Sequence, residues 1–257
     1  MFFDSHAHYD DRRFDNDREE IIKDAFNNGV SYILNASSSR KSVAETVSLA
    51  NEFEKIYAAV GIHPHDAKDM DEDFLEELKN YAKNPKVVAV GEIGLDYHYD
   101  FSPRDTQKFW FKRQINLAKE LKLPIIIHDR EAHKDVLDIV KSEKAGEVGG
   151  VFHCFSGSVE MAREVLNNNF YISLAGPVTF KNARKAAEVA EYVPIDRLLI
   201  ETDCPYLTPE PYRGKRNYSA YVKYVAEKIA EIKGMELEEV AEKTTANAKK
   251  LFKIRKG

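Results

Sequence analysis

A closed (β/α)8 barrel of the TIM type, in the α/β class, is the fold this sequence predicts, and three observations carry the expectation. Eight short apolar, β-branched runs recur along the 257 residues. Each is followed by a longer stretch whose apolar positions have helical spacing. The runs are apolar at nearly every position rather than at alternate ones, as in parallel strands covered by helices.

In order, the runs are FFDSHAH at 2–8, SYILNAS at 31–37, IYAAVGIH at 56–63 and VVAVGEIG at 87–94. PIIIHDR at 124–130, GGVFHCF at 149–155, FYISLAG at 170–176 and RLLIETD at 197–203 complete the set. Helical patterns fall between them at about 17–28, 41–53, 71–83, 104–121, 131–143, 158–168 and 180–191, with a final pair near 217–232 and 236–253. Eight such units in about 250 residues fit a closed barrel. An open doubly wound sheet is the alternative, but no glycine-rich dinucleotide loop follows the first run. No proline- or serine-rich linker interrupts the alternation, so residues 1–257 read as one hydrolase domain.

Composition narrows the class. Apolar content of 43% and charged content of 32% are those of an ordinary globular protein. No apolar run approaches the roughly 18 residues of a membrane span, and the N-terminus lacks the basic-then-apolar layout of a secretory signal. Two cysteines make no disulfide framework, so the expected location is cytoplasmic. A formal net charge of −5 excludes a protein that coats nucleic acid by bulk charge. It leaves room for a phosphate-bearing substrate, because bound cations reverse the local field. No apolar surface stripe stands out, so a monomer without membrane partners is expected.

Active sites of such barrels lie at the C-terminal ends of the strands. His6 and His8 end the first run, where residues two apart share a face. Glu92 ends the fourth, His128 the fifth, His153 the sixth and Asp203 the eighth. Each alone has a plain reading as a hydrogen-bonded histidine or a capping aspartate. Six on one rim point to metal. A single catalytic zinc needs three protein ligands, so four histidines and two carboxylates suffice for two ions if one carboxylate bridges. Glu92, between the first and fifth strands around the barrel, is the natural bridge. His6, His8 and Asp203 then serve one ion, and His128 with His153 the other. Imidazole and carboxylate without thiolate suit zinc, manganese or iron, and magnesium more weakly. Such a pair activates a water.

FDSHAHYD, GIHPHDA, GEIGLDY, PIIIHDREA, HCFSG, IETDCPYLTP and YRGKRN, in this order, closely resemble the TatD family of metal-dependent deoxyribonucleases. The likeness runs from residue 2 to the TTANAKKLF stretch ending at Phe252. It implies an amidohydrolase-like TIM barrel, two divalent metals held by the six residues above, and hydrolysis of DNA phosphodiesters. One departure is visible. Where the family often reads R-G-K-R-N-E-P, Tyr218 and Ser219 follow Asn217, removing a charge and a helix-opening proline near the substrate.

The resemblance also implies that His63 meets a phosphate or leaving oxygen as donor or acid; the alternative is a structural hydrogen bond. His65, stiffened by Pro64, reads equally as loop support. Asp203 combines the roles of ligand and acceptor of the water's proton. Arg130, two residues past His128, is placed by alternation to clamp a phosphate, against a salt bridge to a nearby loop. Arg213, Lys215 and Arg216, with Tyr206 and Tyr212 interleaved, form a basic loop suited to a sugar-phosphate backbone or a stacked base, against a merely solvated loop. Cys154 and Cys204 are expected to point away from the metals and be buried, His98 and His133 to face solvent, and Asn247 to brace the end of the barrel. The expected reaction is water attack on DNA phosphorus, catalysed by Asp203, Glu92 and His63, trimming single-stranded or frayed ends. The nearest rival keeps the metals but attacks a carbonyl, as in deacylation of aminoacyl-tRNA. Glu92 stands where many dinuclear amidohydrolases carry a carboxylated lysine, which favours the phosphodiesterase. A non-catalytic, metal-dependent nucleic-acid-binding protein is the second rival, and a complete ligand set argues against it.

Overall fold

The eight apolar runs form eight strands in the computed structural model, which describes residues 1–254. These are β1 (Phe2–Ala7), β2 (Val30–Ala36), β3 (Ile56–Val60), β4 (Val87–Asp96), β5 (Ile125–Arg130), β6 (Gly150–Phe152), β7 (Phe170–Leu174) and β8 (Leu198–Ile200). They pair in chain order, all parallel. Between them run α1 (Arg18–Asn27), α2 (Arg40–Glu52), α3 (Glu72–Tyr81), α4 (Arg104–Leu121), α5 (His133–Ser142), α6 (Val159–Asn167) and α7 (Arg184–Tyr192), then α8 (Val222–Lys233) and α9 (Leu237–Leu251). The expected barrel is observed. Residues 255–257 of the expected domain lie outside the described residues.

Local chemistry explains the helix starts. Ser39 and Ser42 form a reciprocal capping box on α2, and the Asp71 carboxylate accepts the Phe74 N–H at the start of α3. Ser158 caps α6 in the same way. Two helices begin later than periodicity predicts. A short 3-10 turn at Ser219–Tyr221 occupies the expected first turn of α8, because apolar spacing cannot separate one tight turn from the first turn of an α-helix. The other, α7, begins only at Arg184, after a 3-10 turn at Gly176–Thr179.

Two cores result. The larger lies between strands and helices and includes Ile33, Val60, Ile127 and Phe152. The smaller fills the barrel interior with Phe3, Leu34, Ile126 and Leu199, and Phe252 and Ile254 after α9 pack into it. The wall closes between β1 and the chain after β8. Ser5 Oγ donates to the Ile200 carbonyl at 2.9 Å, Asp203 N–H donates to the His6 carbonyl at 2.9 Å, and Ala7 bridges to Cys204. Among the described residues, no helix is long and apolar enough to cross a membrane.

Strands six and eight stop earlier than expected, at Phe152 and Ile200, so His153 and Asp203 lie just beyond them. The chain turns sharply there, with positive φ at Cys154 (42°) and Asp203 (54°). Asn247 braces the barrel as expected. Its Nδ2 donates to the Ile195 and Leu198 carbonyls at 2.7 and 2.9 Å, at the entry to β8. Replacing Asn247 with alanine strands both carbonyls, so a loss of about 2 kcal/mol is expected. Circular dichroism should read this as a thermal midpoint lower by about 4–8 °C; an unchanged midpoint would remove the bracing role.

Candidate metal centre

Glu92 is 2% exposed and sits where β4 leaves register with β5, between Val90 and Ile93. The β1–β2 register likewise breaks between Asp4 and Ala7, the step that holds His6. Such irregularities re-aim side chains at sites, and both bring a polar group to the mouth of the barrel.

The Glu92 carboxylate divides its surroundings. Oε2 lies 3.2 Å from His6 Nε2 and 3.4 Å from His8 Nε2. Oε1 lies 2.7 Å from both His128 Nδ1 and His153 Nε2, and 3.5 Å from His63 Nε2. Asp203 Oδ1 completes the first group, 3.4 Å from His8 Nε2 and 3.8 Å from His6 Nε2. All six residues therefore converge, with His6, His8 and Asp203 on the Oε2 side and His128 and His153, joined by His63, on the Oε1 side.

The outward nitrogens decide what the inward ones can do. His8 Nδ1 lies 2.8 Å from the Ala36 carbonyl, which only accepts, so the ring's proton sits there. His128 Nε2 faces Asp96 Oδ2 at 3.1 Å, and His153 Nδ1 faces Glu201 Oε1 at 3.3 Å. In the neutral rings these bonds turn the other nitrogens, lone pair first, toward the centre. Lone pairs that face each other in this way, as those of His128 and His153 would at 3.3 Å, require a proton or a cation between them. His6, whose Nδ1 has no partner, brings its Nε2 within 3.0 Å of His8. Donors about 2.1 Å from one ion lie about 3.0–3.4 Å apart, so the donor set fits a divalent metal. Outer acceptors that fix the tautomer are the usual companions of metal-bound histidines.

Charge follows the same geometry. Burial alone would raise the Glu92 carboxyl, but the histidines around it hold it well below its usual range. Burial pulls His8 down, yet Asp203 and Glu92 outweigh it and raise the imidazole well above its ordinary value. His153 is raised in the same way by Glu92 and Glu201. Burial, with His128 close by, pushes His63 far down and keeps it neutral.

The centre opens into a cavity of about 920 Å³ that Arg130 and Tyr206 also line. Tyr206 is anchored by its hydroxyl, which donates to Asp11 Oδ2 at 3.0 Å. The basic loop divides. Arg213 lies over the Phe180 ring at 3.9 Å and lines a neighbouring cavity of about 570 Å³. Lys215 is exposed, 5.3 Å from the Tyr212 ring centre. The Arg216 guanidinium is bound to Asp17 and to the Arg13 carbonyl, and neither Lys215 nor Arg216 lines the metal cavity. Cys204 is buried as expected, whereas Cys154 is only half-buried and lines the neighbouring cavity. The positive φ at Cys154 interrupts the alternation that would have hidden it. His98 and His133 are partly exposed, each paired with a carboxylate.

Sequence reasoning missed Asp96 and Glu201. Asp96 takes His65 and His128 on one oxygen and the His98 and Tyr99 N–H groups on the other. Glu201 lies fully buried beneath His153 and also accepts the Cys154 N–H. Their signal was in the motifs, as the second acid of GEIGLD and the first of IETD.

A family model described as TatD related DNase matches residues 3–253. The chain belongs to the TatD family. It is 54% identical to the uncharacterized metal-dependent hydrolase YabD of Bacillus subtilis, across 99% of this chain and all of that one. It is 33% identical to the 3'-5' ssDNA/RNA exonuclease TatD of Citrobacter rodentium, across 98% of each. The crystal structure of the TatD homolog YjjV from Escherichia coli K12 superposes with a TM-score of 0.93 at 30% identity, over 99% of this chain and 98% of that one. This TatD-family chain is thus a metal-dependent hydrolase.

Two outcomes follow from the outer acceptors and the raised histidines. Asp96→Asn and Glu201→Gln each weaken zinc or manganese binding about 10- to 100-fold, measured by competition with a fluorescent chelator; wild-type affinity in both would refute the orienting role. An ion must also displace protons from His8 and His153, so affinity rises with pH and binding releases protons. Calorimetry in two buffers of different ionisation enthalpy reads that release directly.

Proposed function

We propose that this chain is a metal-dependent deoxyribonuclease that removes nucleotides from single-stranded or frayed DNA ends. One observation carries the reading: a buried carboxylate presents one oxygen to each of two imidazole pairs, an arrangement suited to two ions. His6, His8 and Asp203 would hold one, His128 and His153 the other, with Glu92 between them. Divalent ions there, zinc, manganese, iron or magnesium, supply Lewis acidity that acidifies water and draws charge from a phosphoryl group.

The chain's own residues do the rest. Asp203 is held below the usual carboxylate range against the effect of burial, by His8 first, so it is ionised and ready to take a proton from the attacking water. His63 Nδ1 accepts the His65 N–H at 3.1 Å, which leaves the proton on Nε2, facing the centre. A neutral His63 therefore serves as a hydrogen-bond donor to a phosphoryl or leaving oxygen rather than as a charged acid. Arg130 and Tyr206 contact the strand at the cavity mouth, and Arg213 and Lys215 follow it outward. Arg216, tied to Asp17, steadies that loop. Attack is in line at phosphorus. We further propose that the enzyme acts as a cytoplasmic monomer.

The exonuclease named among the relatives supports a nucleic-acid substrate, and deacylation of an aminoacyl ester is the competing reaction. The test is hydrolysis of end-labelled single-stranded DNA by metal-stripped protein, titrated with Mg²⁺, Mn²⁺ and Zn²⁺. Metal-dependent laddering is expected, reduced about 10²- to 10⁴-fold in Asp203→Asn and abolished in His128→Ala. Intact DNA beside cleaved ester would transfer the site to the carbonyl chemistry.

A further inference from the structure

Among the described residues, seven large apolar or aromatic side chains are exposed, and four of them, Tyr99, Phe101, Tyr206 and Leu207, border the metal cavity. Isolated exposed apolar groups are ordinary, but several gathered at one cavity mouth mark a binding surface. Tyr99 and Phe101 do more than gather. Their rings stack at 5.3 Å and 29°, and they are 46% and 57% exposed. The Arg130 guanidinium lies 4.9 Å from the Tyr99 ring centre.

The ledge is built rather than loose. His65 meets Tyr99 and Phe101 edge-on at 5.2 and 4.8 Å, and its Nε2 is fixed 2.9 Å from Asp96. Ser102 Oγ donates to the His65 carbonyl at 2.7 Å and accepts the Lys68 N–H at 3.0 Å, so the loop after β4 is stapled to the turn after β3. A planar ligand landing here meets rings already in position and loses little freedom in the protein.

We infer that Tyr99 and Phe101 form a stacking platform for an unpaired nucleobase beside the scissile phosphate, with Arg130 set to hold the adjoining phosphate. The inference rests on the nuclease reading and deepens it by naming what selects the strand. Stacked aromatics beside a cation at the mouth of a phosphodiester site match the faces and charge of a nucleotide. A base inside a duplex has both faces covered by its neighbours and a terminal pair is tied to its partner strand, so a frayed or single-stranded end is what brings a free base onto the platform.

The test compares wild type with Tyr99→Ala/Phe101→Ala on a single-stranded oligonucleotide and on one whose terminal bases are replaced by propanediol spacers. Base stacking on an aromatic side chain corresponds to about 5- to 150-fold in binding. The double variant should lose that factor in kcat/KM on the normal strand, chiefly through KM, with metal content unchanged. On the spacer strand the two proteins should be equal, and Tyr99→Phe with Phe101→Tyr should restore activity. A wild-type enzyme that cleaves DNA no better than the double variant would overturn the platform while leaving the nuclease reading intact. An equal loss on the spacer strand would also overturn it, since the damage would then be structural. A wild-type protein that leaves DNA whole would overturn the nuclease reading itself, and the platform with it.

Discussion

The mouth of the barrel is organised around one buried carboxylate. An ionised Glu92 in so enclosed a place is tolerable only if positive charge surrounds it, and His8, His128 and His153, each raised against the effect of burial by the carboxylates it faces, supply it. Bringing them that close constrains the backbone. A Cβ on Gly91 would lie 2.6 Å from Ile126 Cβ, and one on Gly61 would lie 2.9 Å from the Gly91 backbone. Glycine at these two positions lets β3, β4 and β5 approach closely beside Glu92. The break in strand register follows from the same demand, because an unbroken ladder would alternate the side chains along β4 without regard to the carboxylate's position.

Around this carboxylate lies a second layer of acceptors, the Ala36 carbonyl, Asp96 and Glu201. They come from β2, from β4 and from just past β8, so the orientation of each ring depends on a different part of the wall. The rigidity of a closed sheet thereby becomes the rigidity of the ligand set. The orientations of three rings are set before any ion arrives, and what remains on binding is the loss of protons from the inward nitrogens. Asp96 also reaches outward through His65 to the aromatic ledge, coupling the metal end of the cavity to its rim.

Much of this was legible in the sequence, for identifiable reasons. Buried parallel strands read as solid apolar runs, and rim ligands fall at their ends, so the barrel and the six converging groups followed from spacing. Alternation failed where the backbone leaves the extended region. It assigned Cys154 to the interior, but a positive φ carries that residue to a cavity wall. Asp96 and Glu201 resemble any acid near a strand end, and only their contacts reveal which ring each one orients. Arg216 is the converse case. A basic loop reads as phosphate-binding, and no local pattern announces that Asp17, 199 residues away in the chain, already holds that guanidinium.

Charge supplies the remaining constraint on how such a site meets a polyanion. The cavity is lined by six carboxylates against four basic side chains, histidines aside, within a chain of net charge −5. While the centre holds protons, His8, His128 and His153, all raised against the effect of burial by the carboxylates beside them, carry the compensating positive charge. Two divalent ions would displace those protons and concentrate four positive charges at the cavity floor. Ligand set and substrate affinity are then a single property. The aromatic ledge fits the same logic, since stacking is indifferent to net charge and can hold a base where added lysines would compete for the carboxylates. On the proposed reading, bound ions would then decide where along this acidic wall a nucleotide is held.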